Sequence, residues 1–183
     1  MLTTKIELSQ SKPLKYKWPN THMVEGSMKG NRNLAVGIDP GANFGLTVIN
    51  MEYVQIVYGH LPPTKDVGRY GISAYEYIMD YFRVVGDKFF IALRSVAVVE
   101  GAAYNAQYGQ SMLEEVRFGF YLALYHLGFD VRILPPASVR KIAFGYGKQQ
   151  AGDIWPLLKH DAAASVGCAL AALEISNGSK GDL

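Results

Sequence analysis

The stretch Leu34-Ala35-Val36-Gly37-Ile38-Asp39-Pro40-Gly41 decides the fold that this chain is expected to adopt. Residues 34–38 form a short apolar run, which is typical of a strand buried inside a sheet. Asp39-Pro40-Gly41 then ends the strand in a turn, because proline and glycine interrupt regular pairing. The stretch therefore predicts a buried strand with a carboxylate, Asp39, at its carboxyl end.

The rest of the chain predicts a meander followed by alternating helices and strands. Two β-rich runs, 44–50 and 53–60, follow the first strand after short breaks and indicate three antiparallel strands. Apolar residues at helical spacing, and Gly and Pro at the ends, predict helices at 72–85, 112–127, 138–142 and 160–175. Apolar runs predict strands at 89–99 and 131–134. This order predicts an α/β fold with a five-stranded mixed sheet, three strands antiparallel and two parallel, flanked by helices.

Composition favours one globular domain of modest charge. The chain has 183 residues, of which 49% are hydrophobic, with a net charge of +2 and one cysteine, Cys168. Cys168 lies in an apolar helical stretch and is expected to be a buried small residue rather than a nucleophile. Residues 1–32 carry several lysines, Pro and Gly without a sustained period, which predicts a basic, flexible tail before a domain at 33–183. No apolar run is long enough for a membrane helix, and a cytoplasmic protein is expected.

Three acidic residues stand where strands end or a helix begins. Asp39 ends the first strand, Glu100 ends the fourth, and Asp161 opens the last helix. An unpaired buried carboxylate is unfavourable by several kcal/mol, and a divalent cation removes that penalty. Turn formation by Asp39 and Glu100, and capping of the helix by Asp161, are the alternatives. The small residues after Asp161 favour the metal site, because they let the helix approach the sheet.

Together these pieces resemble RuvC-type Holliday-junction resolvases, and the phage-like members in particular. The resemblance covers about residues 33–173 and implies an RNase H-like fold. The motifs that carry it are Val36-Gly37-Ile38-Asp39-Pro40-Gly41, the strand Val96-Ala97-Val98-Val99 with Glu100, the stretch Leu134-Pro135-Pro136-Ala137-Ser138-Val139-Arg140-Lys141, and the helix start at Asp161.

The resemblance implies a homodimer that cleaves four-way DNA junctions with Mg²⁺ or Mn²⁺. Asp39, Glu100 and Asp161 match three of the four acidic positions of the family. The fourth position falls at Ala164, so we hypothesise that catalysis is impaired in this chain. The neighbouring His160 is expected to face solvent or the core, and help in binding the metal is the alternative.

The resemblance also implies residues that contact DNA. Lys148, after the Gly145-Tyr146-Gly147 turn, matches a basic residue that holds the scissile phosphate, although the segment between Lys148 and Asp161 is shorter than is usual in the family. It also implies that Tyr104 and Tyr108 stack on bases. Apart from the resemblance, Arg117 lies on the following helix and Arg140 and Lys141 belong to a basic group, so contacts to phosphate are expected of these residues. For each of these residues the alternative is ordinary packing or a solvated surface.

Two questions stay open at the level of sequence. The helical stripe Met112, Val116, Gly119 and Ala123 fits either the core or a subunit interface. The function is expected to be metal-dependent cleavage of branched DNA in a bacterial cell or phage-infected host. The alternatives are a non-catalytic protein that binds branched DNA, and another RNase H-like nuclease that acts on RNA or on RNA–DNA hybrid.

Overall fold

A computed structural model describes residues 6–8, 21–25, 34–50, 53–66, 68–85, 95–102, 110–148 and 150–178. Its strands form one mixed sheet in the order β1-β2-β5-β4-β3-β6-β7. The strands are β1 (Ile6–Leu8), β2 (Thr21–Glu25), β3 (Ala35–Asp39), β4 (Asn43–Ile49), β5 (Tyr53–His60), β6 (Val96–Glu100) and β7 (Asp130–Leu134). The helices are α1 (Arg69–Val85), α2 (Gln110–His126), α3 (Pro136–Phe144), α4 (Ala151–Ile154) and α5 (His160–Ser176). Within these ranges no helix is both long and apolar enough to cross a membrane.

The five strands from β3 to β7 confirm the predicted mixed sheet. β3, β4 and β5 pair antiparallel in sequence order, while β6 pairs parallel to β3 and β7 pairs parallel to β6. The helix predicted at 138–142 extends over Pro136–Phe144, and the one predicted at 160–175 extends over His160–Ser176. The short helix α4 was not expected from the sequence, because four residues are too few to show a helical period.

Two strands at the sheet edge correct part of the expected tail. Within residues 1–32, β1 and β2 pair antiparallel with each other, and β2 pairs antiparallel with β5. The free edge of β5 offers unpaired backbone groups that an added strand can satisfy, whatever its side-chain pattern. Short segments without sustained alternation give no signal for such pairing in the sequence. The boundary between an N-terminal extension and a nuclease domain at residue 33 stays a prediction.

The two faces of the sheet carry different helices. Val36 and Ile38 of β3 belong to the larger core, with buried residues of α1 and α2. Ala35 of the same strand belongs to a second core that is formed with α3 and α5. Because side chains alternate between the faces of a strand, this parity assigns every odd-numbered residue of β3 to the α5 face.

Helix α5 lies unusually close to β3 and β4 because glycines face it. A methyl group at Gly37 would overlap the backbone of Ala169, and one at Gly45 would overlap the backbone of Asp161. The Thr47 hydroxyl shares a 2.8 Å hydrogen bond with the Ser165 hydroxyl, which satisfies two buried polar groups at the contact. The start of α5 is therefore fixed against the end of the sheet where β3 terminates.

Three of the four residues of the stripe on α2 belong to the core. Val116 and Ala123 are fully buried, and a methyl group at Gly119 would overlap the carbonyl of Gly71 on α1. This close contact between α1 and α2 assigns Val116, Gly119 and Ala123 to the core, whereas Met112 is half-buried. It leaves the opposite face of α2 pointing away from the core.

We expect Gly37→Ala to destabilise the protein by about 2 kcal/mol, because the added methyl group must push α5 away from β3. The melting temperature should fall by about 4–8 °C for a protein of this size. Gly152→Ala is the matched control, since a methyl group there meets no atom within 4 Å. Thermal melts followed by circular dichroism measure both, and equal melting temperatures for the wild type and Gly37→Ala would contradict the close packing of α5.

Candidate functional site

Two acidic side chains lie at the carboxyl ends of adjacent parallel strands. β3 ends at Asp39 and β6 ends at Glu100, and the parallel register of the two strands aligns these ends. Asp39 has the parity of Ala35, and Glu100 has the parity of Val96, both of which lie in the core beneath α5. The two carboxylates are therefore at one edge of the sheet and on the face that α5 covers.

The first turn of α5 brings two more groups to this edge. One ligand atom each from Asp39, His160 and Asp161 lie within 4.8 Å of one another. We name these three residues the acidic cluster. Asp161 is partly buried, whereas the side chain of His160 is 85% exposed, and its Nδ1 lies 3.4 Å from Asp161 Oδ1. The close approach at Gly45 explains why these side chains reach Asp39.

His160 is the group in this cluster for which the sequence favoured a place in solvent or in the core over a role as a ligand. The expectation of a solvent-facing or core histidine is correct about its exposure but gives no reason for its place beside two carboxylates. Its position next to Asp161 in the first turn of α5 is the signal that pointed there. Imidazole nitrogen is a common metal ligand, so the cluster offers one nitrogen and two carboxylates.

Glu100 lies beside the acidic cluster and is held by its own contacts. Its Oε2 accepts a hydrogen bond of 3.9 Å from the Cys168 thiol, and its backbone oxygen accepts one of 3.0 Å from Arg117 Nε. Cys168 is fully buried, as the sequence predicts for a small core residue. These contacts fix both the end of β6 and the orientation of the Glu100 carboxylate.

Burial and neighbouring charges shift the pKa values of Asp39 and Glu100. Burial, and after it the charges of Glu100 and Asp161, raise the pKa of Asp39 to about 8, although Arg117 lowers it in part. Burial also raises the pKa of Glu100, which Arg140, His160 and Arg117 partly lower. Ionised carboxylates are therefore unfavourable at this buried edge, and a bound divalent cation would stabilise their charged form.

Arg117 lies neither at a phosphate-facing surface nor on a solvated helix face, the two positions that the sequence suggested for it. The residue is only 6% exposed, and its guanidinium donates to the Glu100 backbone and pairs with Glu114. A buried arginine at this position holds the end of β6 and supplies positive charge beneath Asp39 and Glu100. Its contribution to the site is thus positional and electrostatic.

The other predicted DNA contacts occupy the surface around the site or lie outside the described residues. Arg140 on α3 donates from Nε to the Pro136 carbonyl at 3.0 Å and faces Glu100. Lys141 and Lys148 are exposed. Tyr104 and Tyr108 lie outside the described residues, so their expected stacking on bases stays a prediction.

A cleft of about 440 Å³ opens beside Glu100, between α3, α4 and α5. His160 and Ala164 line it together with Glu100. Ala164, where the resemblance predicts a fourth acid, is therefore one turn along α5 from the acidic cluster and forms part of the cleft wall.

Comparison with known proteins gives structural neighbours but no sequence relatives. No protein-family model matches the chain, and no curated protein matches it. A structure of Thermus thermophilus RuvC is similar over 79% of this chain and 96% of that chain, with a TM-score of 0.56 and 17% identity. A structure of Thermus thermophilus RuvC in complex with a Holliday junction substrate is similar over 81% and 96%, with a TM-score of 0.56 and 14% identity.

At this level of identity the likeness concerns the fold. It agrees with the mixed sheet, the parallel β3–β6 pair and the helix that covers their carboxyl ends. The chain therefore has a RuvC-like fold of the RNase H type, with the acidic cluster at the end of the central strands.

Proposed function

We propose that this protein is a metal-dependent DNA endonuclease that cuts branched DNA, with the four-way junction as its substrate. The observation that carries the proposal is the acidic cluster of Asp39, His160 and Asp161 with Glu100 beside it, at the carboxyl edge of β3 and β6. The fold neighbour that is bound to a Holliday junction supports the choice of substrate. We further propose that the protein acts in the cytoplasm, and the sequence motifs favour a phage-like member of the resolvases.

The residues at the site fit a divalent cation. Asp39, Asp161 and His160 would hold the ion, and Glu100 is the nearest additional carboxylate. A bound divalent ion lowers the pKa of water and stabilises charge on a phosphodiester. The imidazole in the donor set favours Mn²⁺ over Mg²⁺, because magnesium prefers oxygen ligands alone.

The chain's own residues support this chemistry by position and charge. Arg117 anchors the end of β6 from below, so Glu100 is held in place without the help of a ligand. Arg140 lies on the opposite side of Glu100, where its guanidinium can meet a phosphate that approaches the site. Lys148, exposed after α3, is proposed to contact the same strand of DNA.

A four-way junction is a two-fold substrate, and two copies of the chain would match it. The surface that we propose for their contact is the outer face of α2, formed by Phe118, Tyr121, Leu122 and Tyr125. Phe118 is 62% exposed, Tyr125 is 63% exposed and Leu122 is 41% exposed. A row of large apolar side chains on one helix face is typical of an interface between subunits.

The aromatic rings of this face are already ordered against one another. Tyr121 stacks on Tyr125 at 6.1 Å between ring centroids and on Phe118 at 6.4 Å. Rings that are held in this way lose little conformational freedom when a second copy covers them. The proposed dimer therefore uses the face of α2 opposite to the stripe of Met112, Val116, Gly119 and Ala123.

Ala164 favours a second candidate function, a non-catalytic protein that binds branched DNA. An alanine at a position where an acid is expected lowers the negative charge available to a second ion. The third candidate, a nuclease for RNA or RNA–DNA hybrid, shares the same acidic edge. The three candidate functions differ in the nucleic acid that the protein prefers and in the effect of Ala164→Asp on cleavage.

The electrostatics of the site predict that Asp39→Asn stabilises the metal-free protein at high pH. The folded-state pKa of Asp39, about 8, is above its ordinary value of 3.8. The folded protein therefore loses stability as pH rises from 3.8 toward 8, because Asp39 ionises more easily in the unfolded chain. In EDTA we expect a gain of roughly 1–2 kcal/mol at pH 8.5, seen as a rise in melting temperature of about 2–8 °C, and a smaller gain at pH 5.5.

The same variant tests the metal. Mn²⁺, and Mg²⁺ at higher concentration, should raise the melting temperature of the wild type but not that of Asp39→Asn. Asp66→Asn, at an exposed aspartate away from the cluster, should behave as the wild type. A wild type that is indifferent to both ions would speak against a cation at this edge.

Cleavage is tested on labelled four-way junction, linear duplex and RNA–DNA hybrid, with and without Mn²⁺ or Mg²⁺. We expect the wild type to nick the junction in preference to the others, Asp161→Asn to be slower by about 100-fold or more, and Ala164→Asp to be faster. A wild type that binds but never cuts, while Ala164→Asp cuts, would establish the binding protein instead. Preference for the hybrid would establish the third candidate.

For the subunit contact, we expect the double variant Phe118→Glu, Tyr125→Glu to be monomeric in light scattering coupled to size exclusion, since it charges the centre of the apolar face. The wild type should have twice the mass of one chain. Val84→Glu, which changes an exposed apolar residue on α1, is the control and should leave the dimer intact. A double variant that stays dimeric would place the interface elsewhere.

A further inference from the structure

The cleft beside Glu100 has walls of two kinds. Its apolar and small lining residues, which we call the inner wall, are Val139, Phe144, Ala164 and Gly167. Its polar lining is made by Arg140 from α3, Gln150 and Asp153 from the segment that includes α4, and Glu100 and His160 next to the acidic cluster. Planar apolar ligands with a polar edge suit this combination, because they can pack one side and form hydrogen bonds on the other.

The cleft is continuous with the acidic cluster. His160 belongs to the cluster and also lines the cleft, and Glu100, which lines the cleft, ends the strand next to that of Asp39. A strand of DNA whose phosphate lies at the cluster therefore has its adjoining nucleosides at the mouth of the cleft. In DNA only the sugar separates a base from its phosphate, so one base is within reach.

We propose that this cleft receives one nucleobase, unstacked from the DNA strand that is bound at the acidic cluster. The inference rests on the proposed function and adds a base-binding site to it. The inner wall would contact the face of the base, and Arg140, Gln150 and Asp153 would meet its hydrogen-bonding edge.

Two features of the walls support a base rather than another phosphate. Ala164 lies on the inner wall, where an acidic side chain would put a charge against the face of the base. The Phe144 ring is held in place by Trp155, with 5.9 Å between ring centroids, and it packs near Gly167 on α5. The departure from the family pattern at Ala164 thus makes room for a ligand and keeps the wall uncharged.

The test places 2-aminopurine, whose fluorescence rises on unstacking, at each position around the cleaved bond of a four-way junction. Ca²⁺ replaces Mg²⁺ so that binding is measured without cleavage. We expect the wild type to raise the fluorescence at one position severalfold. An abasic site at that position should weaken binding by about tenfold, since the base contact is lost.

Two variants fill the cleft from different sides. Ala164→Leu fills it from α5, and Gly152→Leu fills it from α4, where an added side chain starts in open space and does not disturb the core. Both should abolish the fluorescence rise and the effect of the abasic site. Ala137→Leu, at an exposed position of α3 outside the cleft, is the matched control and should behave as the wild type.

The outcomes separate this inference from the proposed function. A wild type that binds the junction without raising the fluorescence at any position overturns the base-binding site alone. The same holds if Gly152→Leu keeps the full fluorescence rise. A wild type that binds no branched DNA overturns both proposals, and if Ala164→Leu fails to fold by circular dichroism, Gly152→Leu decides.

Discussion

The contact on which the site depends is the close approach of α5 to β3 and β4. It is possible because Gly37 and Gly45 have no side chain where the helix backbone crosses the sheet. The contact places the first turn of α5 at the end of β3, so that Asp161 and His160 meet Asp39. Without it Asp161 and His160 of α5 would lie away from Asp39 of β3, and no common ligand could join the three groups. The acidic cluster therefore depends on the close packing of α5 at these two glycines.

The charges gathered by this packing are costly in the absence of a ligand. Burial and mutual repulsion raise the pKa of Asp39 to about 8, and the buried Arg117 offsets only part of that effect. Arg117 is therefore best understood as a support for the end of β6, although its sequence position suggested a contact with DNA. A site that retains unfavourable electrostatics in the folded protein is typical of function rather than of stability.

Ala164 and His160 change how the departure from the family pattern is interpreted. In the sequence, Ala164 is only a missing acid and His160 only a neighbour of Asp161. In the structure, His160 adds a nitrogen donor to the cluster, and Ala164 forms an uncharged wall of the adjoining cleft. The proposed nuclease would thus hold its cation with a different donor set and would use the vacated position to bind a base.

The sequence by itself determined the five central strands, their division into three antiparallel and two parallel strands, and the two acids at strand ends. Apolar runs and Gly and Pro breaks are local signals, so no tertiary contact is needed to recognise them. It also indicated that α5 could approach the sheet, from the small residues after Asp161. Only the tertiary structure decided which groups meet. The edge strands β1 and β2 form by backbone pairing, which leaves no side-chain pattern. The burial of Arg117 and the place of His160 depend on how separate elements pack, and such contacts join residues far apart in the chain.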